Sequence, residues 1–503
     1  MPQLPIDWGL HWFRRDLRIN GNAALNSNLV KHNGRVLGLF AFDHKFLSRP
    51  DFSSDRFHFF LQCLENLRSN LRAAGGDLLV FDEGPDEAFG AVKRLSSESP
   101  YGMCKTVSFN RDYEPFARAR DERIQKTLNL SGIEIINCRD HLVIEPHELL
   151  KADGTPYHVY TPFARKWFEL LASEEIKGRI LIQRQVGARN LEANGELMRG
   201  KFTLTWRDLL GKNTPADMFQ AMYQKNFQKI TLASPAITST DATACAIKWA
   251  KKIDSYKQTR DIPGLDGTSK LSLFLKNGSL TTTQIIALHN LECTPFLADS
   301  GKTTFLKELV WREFYYHLMW HYPRIEHEAF QLKYKNIVWH NNQKHFEAWK
   351  TGTTGFPIVD AGMRQLHQTG WMHNRVRMIV ASFLTKDLLI DWRLGEKWFM
   401  QRLLDGDLAP NNGGWQWAAS TGCDAQPYFR IFNPESQSKR FDPDGAYIKL
   451  FVDELRTVSS KEIHNPSPDL RRKLGYPLPI VDHAQQRLVA LDLYKKQSTA
   501  RQP

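Results

Sequence analysis

The chain has 503 residues, 42% of them hydrophobic and 24% charged, the balance of a soluble globular protein long enough for two or three domains with sizeable cores. Its formal net charge of +12 suits a polyanionic partner, because Lys and Arg gain affinity by releasing counterions from phosphates. Six scattered cysteines with no CxxC pair argue against a zinc site or disulfide framework and for a cytoplasmic home, and no apolar run approaches the ~20 residues of a membrane span.

The opening MPQLPIDWGL lacks the basic and apolar regions of a secretory signal. Residues 1–140 alternate short apolar runs with amphipathic stretches. Leu10–Phe13, Arg35–Phe40, Asp77–Phe81, Lys105–Phe109 and Glu134–Asn137 read as buried strands. Between them, Asp55–Ala74 carries Phe59, Cys63, Leu64, Leu67 and Leu71 on one helical stripe. This alternation predicts an α/β domain with a parallel, Rossmann-like sheet flanked by helices. No GxGxxG follows the first strand, so the common dinucleotide fingerprint is missing.

Residues 141–244 are less regular, with turn formers through Gly187–Gly200 and Lys229–Thr243. They are expected to form an inter-domain connector with some short helices. From 245 to 503 the strand pattern disappears. Ile285–Leu291, Thr304–His321, Phe356–Gln368, Trp371–Ile390 and Glu396–Leu404 read as helices broken by Gly and Pro, which predicts an all-α second domain.

Nine of the fourteen tryptophans fall between Trp311 and Trp417. A helical core would account for any single one. Trp415 and Trp417 follow NNGG and are expected in a turn-prone segment, aimed by alternation as stacking surfaces for flat ligands or bases. Asn374 and Met378 are i and i+4 on a helix with Arg377 beside them, a mixture that fits either a site or a helix edge.

Glu308, Trp311 and Tyr315 share another helical stripe. A carboxylate desolvated there would need a cation partner and could hydrogen-bond a neutral base edge; the plainer alternative is a surface pair with Arg312. Asp405 and Asp407 precede Asn411 and Asn412, with no His or third carboxylate at metal-ligand spacing. Pairing with Arg377, or gripping a polar cofactor edge, is expected instead of a metal. Gly267–Ser272 (GTSKLS) offers backbone N–H groups and hydroxyls ahead of Leu273–Lys276, a phosphate cradle at a helix start.

Taken with HWFRRDLRINGNAAL, YTPF, RDIPGLDGTSKLS, ELVWREFYYHL, TGFPIVDAGMRQL, WMHNRVRM, LLIDWR, LDGDLAPNNGGWQWAAS and PYFRIFNP, the chain closely resembles the DNA photolyase/cryptochrome family, specifically the class I cyclobutane pyrimidine dimer photolyases. The resemblance implies FAD bound in the helical domain, with Tyr256, Thr268, Ser269, Leu271 and Ser272 along its phosphates and ribityl chain, and Lys270 where relatives carry Arg. It implies Arg377 paired with Asp405 over the isoalloxazine, Asp407 at its edge and Asn411 at flavin N5. The dimer pocket would be Glu308, Trp311, Asn374, Met378 and Trp417. Arg260, Arg375, Arg430 and Arg440 would grip DNA phosphates, and Trp415, Trp392 and Trp339 would carry electrons from the surface to oxidised flavin. The implied reaction is light-driven: excited FADH− donates an electron to a pyrimidine dimer, the ring splits and the electron returns.

The N-terminal domain would then hold an antenna chromophore. Folate-binding (methenyltetrahydrofolate) relatives carry an Asn-Glu pair where this chain has Phe116-Ala117, and a Cys-Lys pair where it has Glu326-His327. Asn110–Asp121 and FDHKFL are instead similar to deazaflavin-binding relatives, so an 8-hydroxy-deazaflavin type is expected. Rival readings are a cryptochrome-like photoreceptor that repairs nothing, a (6-4) photoproduct enzyme, disfavoured because only His373 stands where such relatives pair histidines, and a non-catalytic single-strand DNA binder. A monomer acting on dimer-containing DNA is expected.

Overall fold

The computed structural model describes residues 7–97, 99, 101–191, 202–211, 232–237 and 239–499. Parts of the turn-rich stretches Gly187–Gly200 and Lys229–Thr243 lie outside the described residues. Strands β1 (Gly9–Phe13), β2 (Val36–Ala41), β3 (Leu78–Phe81), β4 (Thr106–Asn110) and β5 (Glu134–Cys138) form one parallel sheet in the order β3-β2-β1-β4-β5. Each lies within a residue of the run expected from its apolar pattern. Helices α1 (Ala23–Lys31), α2 (Ser54–Ala73), α3 (Pro85–Ser97) and α4 (Pro115–Leu130) make the crossovers.

The first four strands are buried except at Ala41, as a parallel sheet covered on both faces requires. Strand order reverses between β1 and β4, so the chain diverges beyond their carboxyl ends and leaves a crevice there. Arg14 and Arg15 follow β1, and Asp112 and Glu114 follow β4, so four charged side chains enter that crevice.

The region expected to be irregular holds two well-formed helices, α5 (Tyr160–Leu171) and α6 (Glu174–Leu191). Helix α5 buries Phe163, Ala164, Trp167 and Phe168. The Gly and polar residues that suggested a connector lie mostly past this helix pair.

Beyond residue 245 the described residues contain helices and no strands. The helices that build the site are α7 (Ser272–Asn277), α8 (Gly301–His321), α9 (Pro357–Thr369), α10 (Asn374–Ser382), α11 (Trp392–Arg402) and α12 (Leu408–Ala418). Helix α8 runs through the core. Ser300 caps it, accepting from the Thr303 N–H at 3.1 Å. Its buried Glu313 accepts from the N–H of Val143 at 2.6 Å and from Trp167 Nε1 at 2.6 Å, tying it to α5 and the segment before it.

Two expectations need correction. The single helix expected over Trp371–Ile390 starts later, because Gly370 (φ +64°) ends α9 and the imidazole of His373 caps α10, accepting from the Arg375 N–H at 3.2 Å. It then widens into a π turn at Phe383–Asp387 and stops at Leu389, which is left-handed (φ +50°). The segment carrying Trp415 and Trp417 is helix α12, not a turn. The glycines of NNGG serve close packing: a Cβ on Gly413 would lie 2.0 Å from the Tyr315 ring of α8. Two residues along a helix are about 200° apart, so Trp415 is 2% exposed while Trp417 is half-buried.

Candidate functional site

A cavity of about 1900 Å³, open to solvent, lies within the helical domain between α7, α8, α10 and α12. Tyr256, Thr268, Ser269, Leu271, Ser272, Arg377, Asp405, Asp407 and Asn411 all line it. So do Glu308, Trp311, Asn374, Met378, Trp417, Trp415, Arg260 and Arg375. Residues separated by up to about a third of the chain meet in one cup.

The floor is ionic. Arg377 donates from Nη2 to both oxygens of Asp405, at 3.0 and 2.9 Å, and its Nε donates to the Met372 carbonyl at 2.8 Å. Ser272, the first residue of α7, donates its hydroxyl to Asp405 at 2.7 Å. Asp407 sits at the N-cap of α12 but does not cap it. Its carboxylate accepts from the Tyr316 hydroxyl at 2.7 Å, Lys276 at 3.0 Å and Arg15 at 3.1 Å, with Arg312 at 3.6 Å. Burial pushes this carboxyl up, but Lys276, Arg15 and Arg312 outweigh it and hold it well below the usual range. Asp407 is therefore an anion wherever the protein is folded at neutral pH.

Asn411 faces the cavity and donates to the Glu396 carbonyl at 3.1 Å. Asn412 turns into the core instead, donating to the Ile325 carbonyl and to the Glu396 carboxyl at 3.0 Å. Burial raises that carboxyl to about 8, so the side chain Asn412 donates to is a neutral acid at pH 7.

On the cavity wall, Glu308 pairs with Arg260 at 2.6 Å. The plainer expectation, a surface pair with Arg312, fails because Arg312 is buried and donates to the His141 carbonyl at 3.0 Å. One turn on from Glu308, Trp311 stacks face to face on Tyr160, with centroids 3.6 Å apart and planes at 4°. Such a pair adds about 0.5–1.5 kcal/mol beyond its buried area. The Tyr160 hydroxyl donates to the Lys307 carbonyl on the same helix as Trp311 at 2.8 Å. Arg375 is held by Asp261 at 2.8 Å and lies over Phe441.

Four expected residues, and His373, lie away from the cavity. Arg430 and Arg440 are exposed and do not line it. Trp392 is buried in the same apolar cluster as Trp415, and Trp339 packs at that cluster's edge, 6.3 Å from Tyr494. His373 is buried, caps α10 and does not line the cavity.

Several site residues were not read from the sequence: Arg15, Lys276 and Tyr316 around Asp407, and Tyr160 behind Trp311. Arg15 lies within HWFRRDLRINGNAAL and Tyr160 within YTPF, but only tertiary packing gives them their partners. Arg56 of α2 was also missed. It donates to the carbonyls of Met400 and Leu403, and its guanidinium occupies the space a Cβ on Gly406 would need. It clamps the loop that carries Asp405 and Asp407.

The charge pattern of the cup suits a group with phosphates and a polar planar ring. Hydroxyls and Lys270 line one side, the Arg377–Asp405 pair another, and Gly414 leaves open space within 4 Å of where its Cβ would be. Among the described residues the buried Trp415 Nε1 has no acceptor.

A second cavity, of about 1100 Å³, opens in the crevice at the carboxyl ends of β1, β2 and β4. It is aromatic, with Trp12, Phe40, Phe42, Phe46, Phe57 and Phe116 among its walls, and its charged rim includes Arg14, Arg15, Asp112, Glu114 and Lys276. No helix among the described residues is long and apolar enough to cross a membrane.

Residues 9–178 match the family model described as DNA photolyase, and residues 305–496 match that of the FAD binding domain of DNA photolyase. The deoxyribodipyrimidine photo-lyase of Alkalihalophilus pseudofirmus is 38% identical over 96% of this chain and 97% of its own length. Among solved structures, a bacterial class III photolyase from Agrobacterium tumefaciens superposes with a TM-score of 0.78 at 34% identity, covering 99% of each chain. An archaeal photolyase from Sulfolobus tokodaii, solved with two FAD molecules and an implied novel light-harvesting cofactor, gives 0.75 at 31% identity over 97% of this chain and 100% of its own.

Proposed function

The chain belongs to the DNA photolyase family, and from that premise we propose how its own residues carry out the reaction. It is a deoxyribodipyrimidine photo-lyase that binds FAD and repairs cyclobutane pyrimidine dimers in DNA in the light. Bound FAD, reduced and excited, supplies the electron that splits the dimer and takes it back. The protein supplies binding, orientation and electrostatics.

Thr268, Ser269, Lys270, Leu271, Ser272 and Tyr256 hold the phosphates and ribityl chain. Arg377 and Asp405 brace the flavin ring, Asp407 meets its edge, and Asn411, held by the Glu396 backbone carbonyl, presents its amide to the ring. Trp311, Trp417 and Met378 make the apolar walls for two fused bases, and Glu308 and Asn374 reach their polar edges. Arg260 orients Glu308 in the free protein and is released to phosphate when DNA enters; Arg375, Arg430 and Arg440 extend the grip on the DNA backbone. Trp415, Trp392 and Trp339 return electrons to oxidised flavin. The second cavity takes a planar antenna of the 8-hydroxy-deazaflavin type, and the protein acts as a cytoplasmic monomer.

The observation that carries the reading is the single cup in which the Arg377–Asp405 pair and the Glu308–Trp311 stripe face one space. Reduced protein irradiated with blue light on a thymine-dimer oligonucleotide is expected to restore thymines, and absence of repair overturns the reading. Glu308→Ala is expected to lower quantum yield more than it lowers DNA affinity; equal losses overturn its base-edge role.

A further inference from the structure

The two cavities share a wall. Helix α7 presents Leu273 and Lys276 to the crevice of the N-terminal domain, and Ser272 and Leu275 to the helical cup, where Leu271 just before it also faces. Leu404 lines the crevice and Leu403 the cup. The wall is also crossed by charge. Arg15 and Lys276 both line the crevice, and both reach through to Asp407, which lines the cup.

On the crevice side these two cations are shared with Glu114. It lies 3.1 Å from Arg15 and 3.5 Å from Lys276, and Asp112 lies 3.5 Å from Arg15. Arg15, Asp112, Glu114, Lys276 and Asp407 are all screened from water, with side-chain exposures of 16% or less. Two cations are thus divided between carboxylates that face different ligands. Charge added on the crevice side draws on the same donors that hold Asp407, and in this low-dielectric setting the effect is not screened.

We propose that the Arg15–Lys276–Glu114 network couples the two sites, so that an anionic planar ligand in the crevice lowers the reduction potential of the flavin beside Asp407. This rests on the reading of the crevice as an antenna site. The equilibrium concerned is FAD + 2e− + H+ → FADH−, with dithionite supplying the electrons. A negative charge on the near side of the wall disfavours the anionic product. Linkage then requires the converse: the same ligand binds the oxidised protein more tightly than the reduced one, by the factor that separates the two potentials.

The test uses the FAD-loaded full chain at pH 8. First, without any crevice ligand, Glu114→Gln removes an anion from the network and Lys276→Met removes a cation. The flavin oxidised/reduced ratio at fixed potential is expected to move about tenfold in opposite directions, toward reduced in Glu114→Gln and toward oxidised in Lys276→Met. For a two-electron couple that is about 30 mV each way. Both variants are close in size to the native side chain, and Glu114→Gln preserves hydrogen bonding, so a folding failure of one leaves the other to be read.

Second, 8-hydroxy-5-deazariboflavin, with its ring hydroxyl ionised, is titrated into oxidised and dithionite-reduced protein. Affinity is expected to be about five- to a hundredfold weaker for the reduced form, with the difference shrinking in Lys276→Met. Equal affinities for the two redox states, or unmoved potentials in both variants, overturn the coupling. Failure of the probe to bind at all overturns the antenna reading alone, and the variant potentials still decide whether the network exists.

Discussion

Gly413 has no replacement that fits. A Cβ there would lie within 2.0–2.5 Å of three atoms of the Tyr315 ring, and both helices that would have to move line the cup. Gly413→Ala is expected to lower stability by about 1–3 kcal/mol, read as a fall in Tm, with weaker FAD retention in the same preparation. Glu396 makes a second prediction. Burial lifts its carboxyl from the ordinary 4.5 to about 8, so the unfolded chain loses that proton at lower pH than the folded one. Stability from this group is fully present below about 4.5 and is lost as pH rises toward about 8, at roughly 1.4 kcal/mol for each pH unit crossed. Glu396→Gln keeps an acceptor for Asn412 but has no proton to lose. Urea unfolding is therefore expected to show wild type losing ground to the variant between pH 5 and 8; parallel curves would mean that Glu396 ionises normally. At this scale the sequence was informative where one residue carries its own chemistry. Asp405 and Glu308 could be singled out from type and spacing, whereas only the resemblance separated Asn411 from Asn412. Arg56 and Tyr160 could not, because their roles exist only through partners more than a hundred positions away.

Helices α8 and α12 show what periodicity does and does not reveal. Helix α8 is buried on nearly every side, so its apolar stripe gives little direction, yet Glu308, Trp311 and Tyr315 at i, i+3 and i+7 remained legible because a polar residue beside aromatics stands out. The NNGG run inside α12 misled, since glycine is equally at home in a turn and at a close helix crossing, and only the position of Tyr315 decides between them. The first four strands of the sheet were legible to within a residue because a doubly covered parallel strand is a short, largely apolar run; β5, expected buried as well, is exposed or half-buried throughout. Helix α6 was not legible, its charged and polar residues flanking an Ile180–Ile182 run that marks no single face. The burial of Trp392 within the cluster that holds Trp415, with Trp339 at its edge, supports an electron path through that cluster. Trp392→Phe is expected to abolish photoreduction of oxidised flavin by an external donor while leaving repair by chemically reduced protein unchanged. Loss of both would point to a structural defect, and retention of photoreduction would remove Trp392 from the path.

Across the whole molecule, the excess of +12 is not confined to the cup. Arg430 and Arg440 are exposed outside it, and the proposed reading has them grip phosphates flanking a lesion. Replacing each by Gln is expected to reduce the slope of log affinity against log salt by about 0.9 for every phosphate left without its cation, with little effect on quantum yield. An unchanged slope would take those residues out of the DNA footprint. The family itself was legible early because its motifs are spread along nearly the entire chain, and those between Arg260 and Trp417 supply most of the cup. What no local pattern could show was that the α/β unit does more than sit beside that cup: its Arg15 and Arg56 hold the floor from behind.

The bond between Arg15 and Asp407 joins residues 392 positions apart. During synthesis at about 5–20 residues per second, Arg15 emerges roughly 20 to 80 s before the carboxylate it will hold. Within that interval the sheet can fold and position Arg15 between Asp112 and Glu114, its nearer acids along the chain. The helical half then docks onto a charged template already in place, and Arg15 gains Asp407 while keeping the two acids it met first.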